Sequence, residues 1–432
     1  MEMLIGFGIL LFLIILGVPV VFAFGATVIW FVFSMGYNAK FIFSTMYSNL
    51  DSVVLLAIPL FIMVGGIMEK GNIGSALVGF VENFTGRIRG ALCIVSAVSC
   101  AVFGSICGSG AATLSCIGSI MTPKMRERNY PMGVSTAVLC CAAPIGMLIP
   151  PSSIQILFAW AGNLSVLACF LATVIPGIIL TALISVVGWA MCRNNKEIVI
   201  TEHVTKKEWV SRTKKTTIQA IPALVMPLIV LGGIYGGLMT ASEAAGVAVV
   251  YAIIASICIY HAIKVMELKG VFLDTATTTG VIMVMLAVIM VLSRILVQEN
   301  LPSRILSLLL SISDNKYVIL MIINVFLVII GMLMDDVSGT LLCAPILVPI
   351  SISLGVSPYQ MAAILGVNLG MGNITPPTAP FLYLGARIGN VSTRLMLKPC
   401  LLIIIFAYIP TLIITTYFPQ VSLWLPGLIM DM

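Results

Sequence analysis

Most of this chain consists of apolar segments long enough to cross a lipid bilayer. A transmembrane helix needs about 20 apolar residues, and most of the apolar segments reach that length; they lie at residues 4–34, 50–68, 91–121, 132–161, 164–191, 217–239, 241–263, 271–297, 303–313, 317–353, 359–391 and 393–418. Because hydrocarbon offers the backbone no hydrogen-bond partners, such segments must form helices. Only 9% of the residues are charged, against about 25% in soluble domains. The pattern predicts an all-α polytopic membrane protein.

One polar stretch, residues 192–216, interrupts the apolar pattern. Seven of the 22 Lys and Arg residues lie in it, and such a concentration of positive charge marks the cytoplasmic side of a membrane protein. The net charge of +6 is therefore no sign of a nucleic-acid partner. The eleven cysteines form no C-x-x-C pair and there are only two histidines, so we expect neither a transition-metal site nor a cofactor.

The apolar segment 91–121 carries a glycine-rich interruption, GSICGSG, at residues 104–110. This break would leave arms of about 13 and 11 residues, each too short to span the membrane. Basic residues flank the segment on both sides: Arg87, Arg89, Lys124, Arg126 and Arg128. Positive charge at both ends predicts a re-entrant hairpin that enters from the cytoplasm. A kinked helix in an ordinary core is the alternative.

Glycine and proline markers of the first half recur in the second half. Each half contains a glycine, a proline and a Pro-Pro pair, at 104, 123 and 150 in the first half and at 331, 349 and 376 in the second. The glycine and the first proline are 19 and 18 residues apart, and the Pro-Pro pair follows after 27 residues in both halves. Such self-similarity predicts an internal duplication.

The connectors within the two repeats differ in charge. Residues 123–131 carry three basic side chains, whereas the counterpart at residues 349–358 carries no charge. This difference predicts that the repeats have opposite orientations in the membrane. The predicted fold therefore has inverted repeats with two re-entrant hairpins, at 91–121 and 317–348, and two Pro-Pro-broken helices, at 132–161 and 359–391.

Broken helices in secondary transporters expose backbone oxygens that bind cations. We predict two such sites, and ligation by oxygen atoms without a carboxylate cage favours Na⁺. The first would use Ser105, Ser109, Gly146, Ile149 and Pro150. The second would use Gly331, Gly372, Thr375 and Thr378. The alternative is that these glycines and prolines only kink the helices.

Two adjacent carboxylates, Asp335 and Asp336, lie at the tip of the second predicted hairpin. An ionisable residue inside a membrane segment is costly, which makes it a candidate for substrate or ion contact. One of the pair would alternatively cap the arm that follows. Ser152, Ser153 and Asn373, close to the two Pro-Pro breaks, are further candidate substrate contacts.

Several motifs carry a resemblance to a known family. They are AIPLFIMVGGIMEKG (57–71), GSGAATLSCIGSIMTPKM (108–125), GMLIPPSS (146–153), TASEAAGVAVVYA (240–252), GMLMD (331–335), APILVPI (344–350) and NITPPTAP (373–380). In this order and spacing the sequence resembles the large membrane subunit of tripartite ATP-independent periplasmic (TRAP) transporters over nearly its whole length.

The resemblance implies an elevator-type carrier in a bacterial inner membrane, coupled to Na⁺. It implies two partners, a small four-helix membrane subunit, expected here as a separate polypeptide, and a periplasmic binding protein that delivers an organic acid. It also implies a division of the chain into scaffold and transport parts. These are scaffold helices at 1–90, a first transport repeat with its following helix at 91–191, the cytoplasmic loop at 192–216, scaffold helices at 217–316, a second transport repeat at 317–391 and a C-terminal helix at 392–432.

The sequence departs from the family pattern at two places. The family commonly has Ser at the position of Cys107, which the resemblance assigns to the first Na⁺ site and to substrate contact. After the second Pro-Pro pair, Thr378 and Ala379 replace the usual pair of a small apolar residue and glycine. Both departures lie in the predicted binding segments.

The sequence is also compatible with other functions. A stand-alone Na⁺/dicarboxylate symporter would share the hairpins and inverted repeats, and a channel is a further possibility. An intramembrane hydrolase would need a serine paired with a membrane histidine, for which His261 is the one candidate, or two aspartates on separate helices, whereas Asp335 and Asp336 are adjacent. We therefore expect no enzyme. The substrate, a sialic acid, a C4-dicarboxylate or another carboxylate, is left undecided.

Overall fold

The computed structural model describes residues 1–71, 73–85, 88–200, 206–376 and 378–430. Within these ranges all regular secondary structure is helical. The first eleven helices are α1 Glu2–Ile15, α2 Val20–Ser34, α3 Lys40–Leu50, α4 Ala57–Lys70, α5 Ile73–Thr85, α6 Ala91–Cys107, α7 Gly110–Glu127, α8 Met132–Ala142, α9 Ile145–Leu148, α10 Ser153–Ala161 and α11 Val166–Cys192. The others are α12 Lys206–Tyr235, α13 Ala241–Ile254, α14 Val265–Gln298, α15 Leu301–Ile312, α16 Lys316–Leu333, α17 Asp336–Ser353, α18 Pro358–Gly372, α19 Pro380–Gly389, α20 Thr393–Ile403, α21 Ile409–Tyr417 and α22 Pro419–Met430.

Eight stretches of helix in the described ranges are long and apolar enough to cross a membrane. A ninth is formed by α8, α9 and α10 together, which bend by 44° at the first Pro-Pro pair. The predicted class, an all-α polytopic membrane protein, is confirmed. The bend occurs where Pro150 and Pro151 have no N–H to donate to the preceding turn.

The first glycine-rich break is shorter than the sequence predicted. Helix α6 continues through Gly104 to Cys107, and only Gly108 and Ser109 separate it from α7. The arms therefore contain 17 and 18 residues, so the prediction of arms of 13 and 11 residues is wrong. Gly108 ends α6 because its φ of +63° suits glycine, whereas Gly104 keeps helical geometry.

Two predicted boundaries are also wrong. Residues 206–216 of the predicted basic loop belong to α12, which carries the chain directly towards the membrane; residues 201–205 of that loop lie outside the described residues. The predicted single C-terminal helix at 392–432 consists of α20, α21 and α22, with a π-helical turn at Ile404–Tyr408 and a break before Pro419. Proline is favourable at the start of a helix because the N–H that it lacks would have no helical partner there.

The two broken segments pack against each other at the centre of the molecule. Nearly all of α8, α9 and α18 is buried. The amide of Gln155 on α10 donates to the Ala362 carbonyl of α18 at 3.3 Å. Around this core, α6 packs on α7, α8 and α11, α16 packs along α18, and α17 packs along α14. Both hairpin tips line one cavity together with α4 and α14.

Candidate functional site

In both halves, a glycine of the hairpin touches a glycine of the broken helix. A Cβ added to Gly104 would lie 2.3 Å from the Gly146 Cα, and one added to Gly372 would lie 2.4 Å from the Gly331 carbonyl carbon. Each glycine of the broken helix lies four residues before its Pro-Pro pair. Backbone therefore packs directly on backbone at both breaks, which only glycine permits.

The tip of the first hairpin is joined to the first break by hydrogen bonds. Ser153 donates to the Gly108 carbonyl through its backbone N–H at 3.4 Å and through its hydroxyl at 3.1 Å. The Ser109 carbonyl accepts from the Thr113 hydroxyl at 2.7 Å, and the Cys107 Sγ lies 3.3 Å from that hydroxyl. The tip and the break thus form one continuous polar unit.

At the first break, prolines remove the donors that two carbonyls would use in a continuous helix. The Met147 carbonyl instead accepts from the buried Ser152 hydroxyl at 2.6 Å. The Gly146 carbonyl has Pro150 four residues ahead, and Pro150 has no N–H. A Cβ on Gly146 would lie 2.9 Å from the Thr113 Oγ1 and 3.5 Å from the Ser109 carbonyl oxygen. Oxygen atoms therefore converge on this break.

Of the remaining residues predicted for the first cation site, Ile149 and Pro150 belong to this break, and Ser105 follows Gly104, which packs on Gly146. Ile149 is in extended conformation directly after α9, and Pro150 is buried behind it. The Ser105 hydroxyl is buried within α6 and donates to the Val102 carbonyl at 2.7 Å. Its oxygen can still accept a hydrogen bond or contact a cation, because donation uses only its proton.

The second break donates a hydrogen bond to its hairpin and forms another within the broken segment. The Thr375 hydroxyl donates to the Met371 carbonyl at 2.6 Å, and the exposed Thr378 donates across to the Met332 carbonyl near the hairpin tip. The Gly331 carbonyl oxygen would lie 2.8 Å from a Cβ on Gly372. Gly331 thus packs on Gly372 and Thr378 contacts the hairpin, whereas Thr375 bonds within the broken segment.

At the second hairpin tip, Asp335 is the N-cap of α17. Its carboxylate accepts from the backbone N–H groups of Val337 at 3.1 Å and Ser338 at 3.3 Å, and also from the Ser338 hydroxyl. Asp336 follows in the first turn of α17, where a negative charge interacts favourably with the helix dipole. The capping alternative is therefore correct for Asp335.

A cavity of about 580 Å³ lies between the two hairpin tips and the facing sides of α4 and α14. Five residues predicted to contact substrate or cation line it, namely Cys107, Ser109, Ser153, Asp335 and Asp336. Ser152 and Asn373 do not line it, since both are buried behind the breaks. The side-chain amide of Asn373 makes no hydrogen bond with the part of the chain that the structure describes.

Sequence reasoning missed the opposite wall of this cavity. Glu69 and Lys70 on α4 and Asp274 on α14 all line it. The Lys70 Nζ lies 2.9 Å from the Asp274 Oδ2, and the two side chains are 47% and 74% exposed. Asp274 lies inside an apolar segment, so the cost of a membrane carboxylate was the signal that could have identified it.

The described residues that line the cavity carry an excess of negative charge. Four of them have carboxylates and one has an amine: Glu69, Asp274, Asp335 and Asp336 against Lys70. Two like charges about 8 Å apart repel by about 2 kcal/mol at an effective dielectric constant of 20. An anionic solute would therefore meet repulsion here unless cations accompanied it.

A separate charge cluster joins α5 to the end of the first hairpin. Glu82 on α5 pairs with Lys124 at 3.1 Å and with Arg128. α5 lies outside the candidate membrane spans. Burial raises the pKa of Glu82, but the two cations together outweigh burial, so the pKa is lowered. The carboxylate is thus held ionised between two helices.

Two broken helical segments around one charged cavity, inside a bundle of membrane-spanning helices, define the architecture of a membrane carrier. Residues 7–421 match the family model "Tripartite ATP-independent periplasmic transporter, DctM component". The chain belongs to this family. It is therefore the large permease component of a TRAP transporter and not an enzyme, and it is a multi-pass protein of the bacterial inner membrane.

Individual relatives agree with the family. The chain is 34% identical over 426 residues to the uncharacterised protein YgiK of Salmonella typhimurium, covering 98% of this chain and 96% of YgiK. It is 32% identical over 384 residues to the C4-dicarboxylate TRAP transporter large permease protein DctM of Pseudomonas aeruginosa, covering 88% of both. Among solved structures, the YdaH transporter of Alcanivorax borkumensis matches with a TM-score of 0.61 at 15% identity, over 88% of this chain and 89% of that one. The last similarity shows the fold alone.

Proposed function

We propose that this permease takes up an organic acid together with Na⁺ by an elevator movement of its two broken segments. The observation that carries the proposal is the charge of the cavity, whose lining contains four carboxylates and one amine. An anion can enter such a site when coupling cations offset the repulsion. An inside-negative potential adds about 2.3 kcal/mol per charge per 100 mV against anion entry. Two Na⁺ ions would make uptake of a monoanion electrically favourable, and a dianion would need three.

The two breaks are the proposed Na⁺ sites. The proline after Gly146 leaves that carbonyl without a helical donor, and the Ser109 carbonyl faces the same position. At the second break the Gly331 carbonyl faces Gly372, and the Thr375 hydroxyl lies one turn further along. Both sites lie directly behind the hairpin tips that line the cavity. Bound cations there would lower the cost of placing an anion beside Asp335 and Asp336.

The proposed moving unit consists of the two hairpins and the two broken helices. Support comes from the direct backbone packing at the glycine pairs, which would make hairpin and broken helix move together. α4 and α14 form the opposite wall of the cavity and would belong to the scaffold. The remaining division of the chain into scaffold and transport parts stays a prediction.

The proposed partners are a separate small four-helix membrane subunit and a periplasmic binding protein. Their support is the family, whose transporters are tripartite. The proposed substrate is a carboxylate, and the name of the Pseudomonas aeruginosa relative favours a C4-dicarboxylate. A sialic acid is the other carboxylate that the resemblance suggested.

Reconstitution in liposomes tests this proposal. The chain would be assembled with its small subunit and binding protein, and uptake of radiolabelled succinate and N-acetylneuraminate would be measured under an inward Na⁺ or K⁺ gradient. We expect uptake of at least one acid that requires both Na⁺ and the binding protein. Uptake without Na⁺ would contradict the coupling. Na⁺-driven uptake by the chain alone would favour the stand-alone symporter instead.

A further inference from the structure

Lys70 is the one basic side chain among the described residues that line the cavity. It is the last residue of α4 and reaches across to α14, where its Nζ contacts Asp274. Asp335 and Asp336 line the cavity from the hairpin side. A carboxylate entering this cavity would therefore be attracted by Lys70 and repelled by Asp335 and Asp336, and Glu69 and Asp274 beside Lys70 would partly offset that attraction.

The ion pair between Lys70 and Asp274 is weak enough for another carboxylate to replace Asp274. Both side chains are partly exposed, at 47% and 74%, and ion pairs in contact with water stabilise a protein by at most about 1 kcal/mol. Gly270 lies one turn before Asp274 on α14, and a Cβ there would lie 3.5 Å from the Lys70 Nζ. The Lys70 amine therefore lies against α14 at a position that has no side chain of its own, and its contact there is with the Asp274 carboxylate.

We propose that Lys70 binds the carboxylate of the substrate, and that the Lys70 amine pairs with the Asp274 carboxylate when the substrate is absent. This inference rests on the proposed uptake of an organic acid. Because Lys70 belongs to the α4 side of the cavity, the contact forms only while the hairpin tips face α4. When the substrate carboxylate replaces Asp274 on the Lys70 amine, the acid is oriented with that carboxylate away from Asp335 and Asp336. Lys70 thus determines specificity for an anionic group.

Two variants that break the same ion pair separate this role from a structural one. K70Q removes the amine, whereas D274N removes the competitor and keeps the amine. The purified full chain in nanodiscs would be titrated with succinate and with N-acetylneuraminate in NaCl, and the midpoint of thermal unfolding would be recorded. A ligand that binds only the folded state raises that midpoint.

We expect at least one acid to stabilise the unmodified chain. K70Q should weaken its binding by about tenfold or more, since the variant loses a charged hydrogen bond, and D274N should strengthen it. The charge-swapped double variant K70D/D274K should not restore binding, because its amine lies on α14.

Three results would overturn the proposal: equal affinity in K70Q, full restoration in the charge-swapped variant, or no acid-dependent shift in the unmodified chain. The Na⁺ dependence of the midpoint without acid provides a separate readout. If Na⁺ coupling is wrong, that dependence is absent from every variant. If only the role of Lys70 is wrong, it persists in K70Q while acid binding is unchanged.

Discussion

Gly372 packs on Gly331 so closely that a Cβ on Gly372 would lie 2.4 Å from the Gly331 carbonyl carbon and 2.8 Å from its oxygen. The counterpart pair in the first half, Gly104 and Gly146, approaches to a similar degree. A hairpin and a broken helix thus meet through their backbones at both proposed Na⁺ sites. Because no side chain separates the two segments, backbone carbonyl oxygens such as that of Gly331 lie directly between them.

Alanine at Gly372 should destabilise the protein. The added methyl group would overlap the backbone of α16, and overpacking of this kind costs about 1–3 kcal/mol. G280A on α14 is the matched control, since a Cβ there meets nothing within 4 Å. Thermal unfolding of both variants in the same detergent measures the effect. A midpoint for G372A as high as that of G280A would show that the close contact is not maintained.

Asp335 should have two separable roles. D335A removes the N-cap of α17 and should cost about 1 kcal/mol of stability, whereas D335N keeps a good capping side chain. D335N still removes the negative charge that lines the cavity. We therefore expect D335N to unfold near the temperature of the unmodified protein but to transport with an altered dependence on Na⁺. Equal loss of stability in both variants would contradict the separation.

The contact of Glu82 with Lys124 and Arg128 should make stability depend on pH. The pKa of Glu82 is lowered below its ordinary value of 4.5, so the folded state binds fewer protons than the unfolded state in that range. The stabilisation is present above about pH 4.5 and is lost as the pH falls through the lowered pKa. E82Q should therefore be less stable than the unmodified protein at pH 7, and the difference should shrink below pH 4.5.

Thermal unfolding between pH 7 and pH 3 tests this prediction, with E127Q as control. Glu127 lies in the last turn of α7, close in sequence to the two cations that Glu82 contacts. It is exposed and forms none of the salt bridges of the described residues. A stability difference between E82Q and the unmodified protein that stays constant with pH would exclude an ionised Glu82 as its cause.

Sequence reasoning located features that depend on local chemistry. The apolar segments had to become helices, and the Pro-Pro pair at Pro150 favoured a break because neither proline can donate to the preceding turn, whereas a single proline such as Pro123 stays inside a helix. Asp335 was recognisable as a cap or contact from its position at a break. These conclusions follow from properties of single residues and their neighbours along the chain.

Features that depend on tertiary contacts were missed. Lys70 and Asp274 are 204 residues apart, and no local pattern joins them. Gly104 and Gly108 belong to the same glycine-rich motif, yet Gly104 packs on another helix and Gly108 adopts a left-handed turn. Only the position of Gly146 across from Gly104 distinguishes the two roles.

The proposed function depends on Na⁺ binding at the two breaks. The most direct test is the thermal unfolding midpoint of the purified protein in NaCl, KCl and choline chloride at equal concentrations. We expect a saturable rise in NaCl alone, corresponding to about 1.4 kcal/mol at ten times the Kd. S105A and T375A should shift the rise to higher NaCl. The matched controls S307A and T277A, which lose exposed hydroxyls with the same intrahelical bonding, should not. Equal midpoints in all three salts would contradict Na⁺ binding at the two breaks.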